Sequence, residues 1–526
     1  MEFLEIETLI IVLVLVATLV AIAVRRIRLP YTVALVLVGL FITIWHPLAV
    51  ELTPELILSL FVPPLIFEAA FHLDFRLLRD NLMPILVLAV PGVLLTTLLV
   101  GGMVAVGTGL PLATAAVFGA LIAATDPVAV VALFRALGVP SRLAVAVEGE
   151  SLFNDGTAIV VFKIALAAAL SGVFEPMAGL FDFLRIALGG MAVGLALGWL
   201  AAQLIARIDD SLIETTLTTL LAYGAYVVAE QFHVSGVLAV VAAGLLCGNV
   251  GTAGMSPTTK IMLFNFWEYL AFLANSLIFL LIGLDVDLPQ LWANLGAIVV
   301  AVLAVLISRG VVVYGLPWLI HGIKGRPHIP LRWRHVLFWG GLRGAISLAL
   351  ALSLPVALPE RRMLEAMTFG VVLFTLLGQG TTIPSLLKRL GLIERPQYQV
   401  ARERWLGRLL AAQAGLRRLK DLRREGLLLE EMWTGLRNYY LQTQGQMVEE
   451  MKQLFLEHAE LEQEILLQAR RGALQAERST LGDALRRGLL SDDVYEDLRS
   501  DVDHRLEAIT LIWEASQGSQ TSQEGE

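Results

Sequence analysis

The chain is poor in cysteine and in charge. One cysteine, Cys247, in 526 residues leaves no partner for an internal disulfide and no thiolate set for a metal. Asp, Glu, Lys and Arg make up 16 % of it, against about 25 % in a soluble domain. The net charge is −8 and no basic stretch stands out, which excludes a nucleic-acid binder. Hydrophobic residues fill the space, at 57 %. The mean hydropathy of +0.73 is too apolar for a water-soluble protein of this length. That excludes a cytosolic enzyme and a disordered chain alike. No nucleophile–base arrangement or catalytic metal cluster is visible, so neither an enzyme nor a resident cofactor is expected.

The little charge present is unevenly spread. Residues 1–400 carry 46 of the charged residues and 401–526 carry 40. The expectation is an all-α membrane domain over 1–390, a linker at 391–397 and a helical cytoplasmic domain over 398–526. The small polar end, 516–526, is expected to be disordered. About thirteen apolar runs before residue 390 are candidates to cross roughly 30 Å of hydrocarbon. The weakest of them leave room for twelve. Placing the N-terminus outside gives the cytoplasmic loops sixteen Lys and Arg, including Arg25, Arg26, Arg28, Lys324 and Arg326; the external loops have two, Arg361 and Arg362. An even number of spans spoils this asymmetry, so the C-terminus is expected in the cytoplasm.

Charges left inside the spans are costly and point to function. They concentrate in the fifth and sixth runs, about 112–134 and 143–169. Ala124-Thr125-Asp126-Pro127 carries a proline that removes a backbone donor and pushes Asp126 out of the helical region, so the fifth span is expected to unwind there. Freed carbonyls such as that of Thr125 can ligate a cation. In Glu148-Gly149-Glu150-Ser151-Leu152-Phe153-Asn154-Asp155-Gly156, Ser151 and Asp155 share one helical face, and Glu150 and Asn154 share another about 100° round. The first pair suits a small hard cation; the second suits an arginine fork. Arg343, between glycines in the twelfth run, is the candidate arginine. The fifth and twelfth runs lie an odd number of spans apart, so a repeat of that offset is inverted in topology. Among the other charges, Lys163 is expected near the external interface, Glu148 to be solvated at the cytoplasmic end, and Arg185 to reach the surface. Glu268 is left open between a funnel residue and a polar contact.

Phe61-Val62-Pro63-Pro64-Leu65-Ile66-Phe67-Glu68, Ala124 to Pro127, Glu148 to Gly156, Gly341-Leu342-Arg343-Gly344-Ala345 and Gly378-Gln379-Gly380 occur in an order that resembles the monovalent cation/proton antiporters of the NhaP type, relatives of the animal sodium/proton exchangers. The resemblance implies thirteen helices in inverted repeats with two discontinuous crossing helices. It also implies a homodimer in the bacterial plasma membrane, with a mobile bundle carrying the ion. It maps the ligands of a transported Na⁺ or Li⁺ to Asp155, Ser151, the Thr125 carbonyl and Glu68, with Asp126 close by. It maps Glu150 and Asn154 to partners of Arg343, and Arg309 to a charge-balancing position. An all-oxygen ligand set suits Na⁺ or Li⁺. One carboxylate competed for by cation and proton is sufficient for exchange. Asn154 in place of a second acid points to an electroneutral one-for-one cycle. A K⁺/H⁺ antiporter of the same architecture remains open, as does, from another class, a cation channel with a sensor tail. No tail motif is recognised, and any ligand of the tail is unknown.

Overall fold

A computed structural model describes residues 3–24, 30–45, 53–54, 56–137, 139–173, 175–208, 210–255, 257–317, 330–358, 360–392, 397–457 and 459–523. Arg25, Arg26, Arg28, Lys324 and Arg326, four residues of the expected linker (393–396) and the last three residues (524–526) lie outside them. The described residues are helical throughout, apart from turns and short extended pieces. The chain packs as two units, Met1–Ile393 and Glu394–Glu526.

Among the described residues of the first unit, seven helices are long and apolar enough to cross a membrane, and shorter apolar helices accompany them. The helices used below are α1 (Phe3–Val24), α2 (Tyr31–Trp45), α3 (Val62–His72), α4 (Phe75–Ala89), α5 (Pro91–Thr108), α6 (Leu112–Leu121), α7 (Val128–Leu137), α8 (Ser141–Ser171), α9 (Pro176–Ile205), α10 (Ser211–Gln231), α11 (Gly236–Asn249), α12 (Pro257–Leu284), α13 (Leu288–Ala293), α14 (Leu295–Gly310), α15 (Leu331–Trp339), α16 (Ala345–Leu352), α17 (Arg361–Phe374) and α18 (Thr381–Arg389).

These helices sort into two bundles. α1 to α3 and α9 to α12 pack on one another; α4 to α8 and α14 to α18 pack on one another. In lipid there is no hydrophobic drive between apolar helices, so close packing through small residues takes its place. The first bundle shows this along α9, where Gly190, Gly194 and Gly198 lie against Ser235, Ala239 and Ala243 at the start and along one face of α11. The second shows it where Gly101 of α5 meets Ala116 of α6. α4 begins earlier than its apolar run: Asp74 accepts from the amides of Arg76 at 2.7 Å and Leu77 at 3.3 Å, which fixes the start of a span that continues into α5.

The two interrupted spans lie in the second bundle. α6 stops at Leu121, residues 124–127 have no regular secondary structure, and α7 starts at Val128; α15 stops at Trp339, 341–344 have none either, and α16 starts at Ala345. Pro127 is the local cause of the first break, because it has no N–H to give.

The described residues of the second unit form four helices, α19 (Gln397–Arg424), α20 (Glu430–Glu457), α21 (Ala459–Arg486) and α22 (Asp492–Gln523). Trp405 of α19 donates to the Met447 carbonyl of α20 at 2.6 Å, and the Arg423 guanidinium lies 5.1 Å from the centre of the Trp433 ring. Arg478 and Arg505 join α21 to α22 through Asp503 at 2.9 Å and Glu477 at 3.0 Å. Ser516 to Gln523, expected as disordered from its composition, lies within the bounds of α22.

Candidate ion site

The two breaks are bonded to each other. The Asp126 amide donates to the Leu342 carbonyl at 2.8 Å. Unwinding frees the carbonyls of Ala123 and Ala124, and Arg343 donates to them at 3.1 and 3.0 Å. The Asp126 carboxylate accepts from the amide of Val128 at 3.0 Å and from that of Ala345, so one acid caps the first turn of both half-helices, α7 and α16. Gly344 is required by this crossing: a Cβ there would run into the Asp126 carboxylate.

α8 passes beside the breaks without interruption. It carries Ser151 and Asp155, both buried, toward the unwound residues 124–127. The Ser151 hydroxyl donates to the Thr125 carbonyl at 2.5 Å. Asp155 accepts a backbone bond from Thr125, while its Oδ1 is buried and has no hydrogen-bond partner. A buried acceptor left without a donor is unusual and carries a desolvation cost. It lines a cavity of ≈ 80 Å³. A water needs only about 10–15 Å³ of such space, so a cation with several waters fits. The cavity lies in the seam between the bundles. α3 and α12 supply one wall, through Val62, Leu65, Ile66, Ala69 and Asn275. The breaks and α8 supply the other, through Thr125, Asp126, Glu148, Ser151, Asp155 and Ser347 among others.

Thr125, Asp126, Ser151 and Asp155 are therefore brought together as the sequence suggests. Two expectations are corrected. The arginine fork on Glu150 belongs to Arg309, not Arg343. Arg309, in the last turn of α14, reaches the two Glu150 oxygens at 2.7 and 3.0 Å, and both side chains are buried. Its remaining donors hold the Leu337 carbonyl at 2.9 and 3.3 Å, near the end of α15. Asn154 donates to the Thr125 hydroxyl at 3.1 Å and to Glu150 at 3.4 Å. Arg343 is held instead by backbone oxygens that only the unwinding makes available.

The second correction concerns Glu68, which does not line the cavity. Val62, Leu65, Ile66 and Ala69 form the cavity stripe of α3, and Glu68 projects about 110° away from it at 100° per residue. His72 Nδ1 lies 3.3 Å from its carboxylate and 2.8 Å from its carbonyl oxygen.

The other charges fall outside the site. Lys163 pairs with Glu230 at 3.3 Å, Arg185 meets Asp182 at 3.4 Å, and Glu268 is exposed on α12. Among the acid and amide side chains of the cavity, two were not anticipated there. Glu148 is half-buried in the cavity wall rather than a solvated helix end. Asn275 had one available signal, an amide within an otherwise apolar stretch of α12.

Residues 11–389 match the family model described as sodium/hydrogen exchanger, transmembrane. The Na⁺/H⁺ antiporter ApNhaP of Aphanothece halophytica is 42 % identical over 392 residues, covering 73 % of this chain and 75 % of that one. The Na⁺/H⁺ antiporter NhaS2 of Synechocystis sp. is 37 % identical over 506 residues, or 95 % of this chain and 93 % of that one. That similarity extends into the second unit. The solved structure of the sodium proton antiporter MjNhaP1 from Methanocaldococcus jannaschii superposes with a TM-score of 0.60 at 22 % identity, covering 72 % of this chain and 100 % of that one. At that identity it supports the fold alone. The unwound crossing, the buried carboxylate beside it and the match over nearly the whole membrane unit agree: the chain belongs to the sodium/hydrogen exchanger family.

Proposed function

We propose that this protein is a secondary active antiporter of the bacterial plasma membrane, exchanging Na⁺ or Li⁺ for H⁺. The observation that carries the reading is Asp155, buried, with one oxygen lacking a donor and facing a cavity beside the Ser151 hydroxyl and the Thr125 carbonyl. The Ser151 hydroxyl turns its hydrogen away from the Thr125 carbonyl, and a cation is held by that carbonyl, the Ser151 oxygen and Asp155. A proton occupies Asp155 in the alternative state. The carboxylate holds one or the other, so movement of the loaded site across the membrane couples the two flows. The bundle carrying the breaks and α8 moves against the bundle of α3, α11 and α12, and the seam between them is the site's route to water. Asp126 supports the site by tying its two half-helices together, and the Arg309–Glu150 pair fixes α8 against α14.

With one exchanging carboxylate the loaded site has the same net charge with H⁺ as with Na⁺, so the cycle is electroneutral. The test is sodium-driven proton movement in proteoliposomes, read with a pH dye across a series of Na⁺, Li⁺ and K⁺. The expectation is saturable flux with Na⁺ and Li⁺ that requires the counter-ion. Proton movement without a counter-cation indicates a channel. Voltage clamped with valinomycin then leaves the reversal ΔpH unchanged; a shift with voltage overturns the one-for-one cycle.

A further inference from the structure

Among the described residues, the chain passes from one bundle to the other after α3, α8 and α12. The first passage is two residues long, Leu73 and Asp74, both with extended backbone. A residue spans at most about 3.6 Å, so the start of α4 stays within about 11 Å of the end of α3 whatever the bundles do. Asn249, the last residue of α11, grips this passage on both sides. Its Oδ1 accepts from the Phe75 amide at 2.9 Å, and its Nδ2 donates to the Leu73 carbonyl at 3.0 Å and to the Leu245 carbonyl of its own helix at 2.9 Å. Both amide hydrogens and the oxygen are engaged, which fixes the side chain in one orientation.

The two sides of the grip differ in rigidity. α3 and α11 pack backbone to backbone: a Cβ on Gly248 would run into the Phe71 carbonyl, and one on Gly244 would stand 2.8 Å from the Ala70 Cβ. Asn249 fastens the first residue of α4 to that rigid pair. Beyond it, α4 packs along α8. Arg142 Nε, near the start of α8, donates to Asn81 Oδ1 of α4 at 3.0 Å. A Cβ on Gly149 of α8 would stand 2.9 Å from Ile85 Cδ1, so there is no clearance between the two helices. Ile85 is ten residues from Phe75, about 15 Å along the axis. α4 and α8 therefore form a lever that is held at Phe75 and bears Asp155 well away from that end.

We propose that Asn249 is a positioning residue for the transport step: it pins the start of α4 to α11 as the pivot about which α4 and α8 swing with Asp155. The proposal rests on the exchange reading above, in which the bundles move against each other. The pinned end stays together in both end states, so Asn249 acts on the rate at which the loaded site crosses and not on its affinity for the cation. Phe75 is exposed, so water can take over the bonds of a missing amide and the fold survives its loss. The end of α4 then slides, and part of the bundle's movement is spent there instead of reaching Asp155.

The experiment measures sodium-driven proton movement in proteoliposomes, with Cys247→Ala as the thiol-free reference. Asn249→Ala is expected to lower the maximal rate about 5- to 150-fold, the range for two neutral hydrogen bonds, with the KM for Na⁺ and the melting temperature in detergent unchanged. A second variant, Phe75→Cys with Asn249→Cys, is slow while reduced. Bridging its thiols with a short bis-methanethiosulfonate ties the same two points and restores the rate, because a pivot does not part during the cycle. Bridging Leu65→Cys to Ile346→Cys, which face the cavity from opposite bundles, stops transport. An unchanged maximal rate in Asn249→Ala, a raised KM, or arrest of transport by the bridge between positions 75 and 249 overturns the assignment. Should Asn249→Ala fail to insert, the bridged pair decides alone, by restoration or arrest. Transport that survives the bridge between positions 65 and 346, or no sodium-dependent proton movement in the reference, overturns the exchange reading instead, so the two failures are distinguishable.

Discussion

Glu150 and Asp155 are both buried acids of α8, yet their surroundings assign them opposite behaviour. Glu150 is bound by both ends of the Arg309 fork, while Asp155 faces space with one oxygen unsatisfied. An acid paired this way is a fixed part of the scaffold; an acid with room beside it can exchange its partner. Asp155→Asn is expected to abolish sodium-driven proton movement, because an amide carries no exchangeable proton. The variant still inserts and keeps its melting temperature in detergent, since the change is isosteric. Substantial flux through it removes Asp155 from the mechanism. The pairing of Glu150 is tested by double-mutant cycles on thermal unfolding. Arg309→Ala leaves a buried carboxylate without its counter-charge and costs about 3–5 kcal/mol, a loss that Glu150→Gln partly relieves. Arg343→Ala orphans two carbonyls, at about 1–3 kcal/mol each, and couples only weakly to Glu150. A larger coupling for Arg343 than for Arg309 contradicts the arrangement.

At the scale of elements, the crossing of the two breaks depends on small residues as much as on charge. Gly344 leaves room for the Asp126 carboxylate, and a Cβ on Gly341 would stand 2.8 Å from Arg309 Nε. Gly344→Ala is expected to part the half-helices, costing about 1–3 kcal/mol of stability as an overpacked core does and most of the transport rate. Gly378→Ala is the control, because its nearest neighbour would be 3.7 Å away. Equal transport by both variants tells against the crossing as the seat of the site. Much of this arrangement was legible beforehand. Pro127 announces the break between α6 and α7, and the four-residue spacing of Ser151 and Asp155 places them on one face of α8. The choice between Arg309 and Arg343 was not legible. Both are lone cations in late apolar spans, and what separates them is the path of the backbone, which offers Arg343 the carbonyls of Ala123 and Ala124. Glu68 was hidden for a related reason. Periodicity shows that α3 has faces, but not which one a distant helix will cover.

For the whole molecule, the composition alone required a membrane protein with a polar tail, since the apolar majority and the charge of residues 401–526 cannot share one environment. Sorting of the spans into two bundles was beyond the sequence, because apolar helices carry little record of their neighbours. The cavity at the seam joins the two levels: Asp155 belongs to one bundle and Asn275 to the other. The proposed exchange turns on cation and proton competing for this single carboxylate. Ligands must be deprotonated to bind a cation, so affinity for Na⁺ falls as protons accumulate. The most direct measurement is the apparent KM for Na⁺ in proteoliposomes as a function of pH. One competing proton predicts that on the acid side KM rises about tenfold for each unit of pH lost, while the maximal rate at saturating Na⁺ is preserved at the site-loading step. A KM independent of pH, or a slope of about two decades per unit, contradicts a single shared carboxylate.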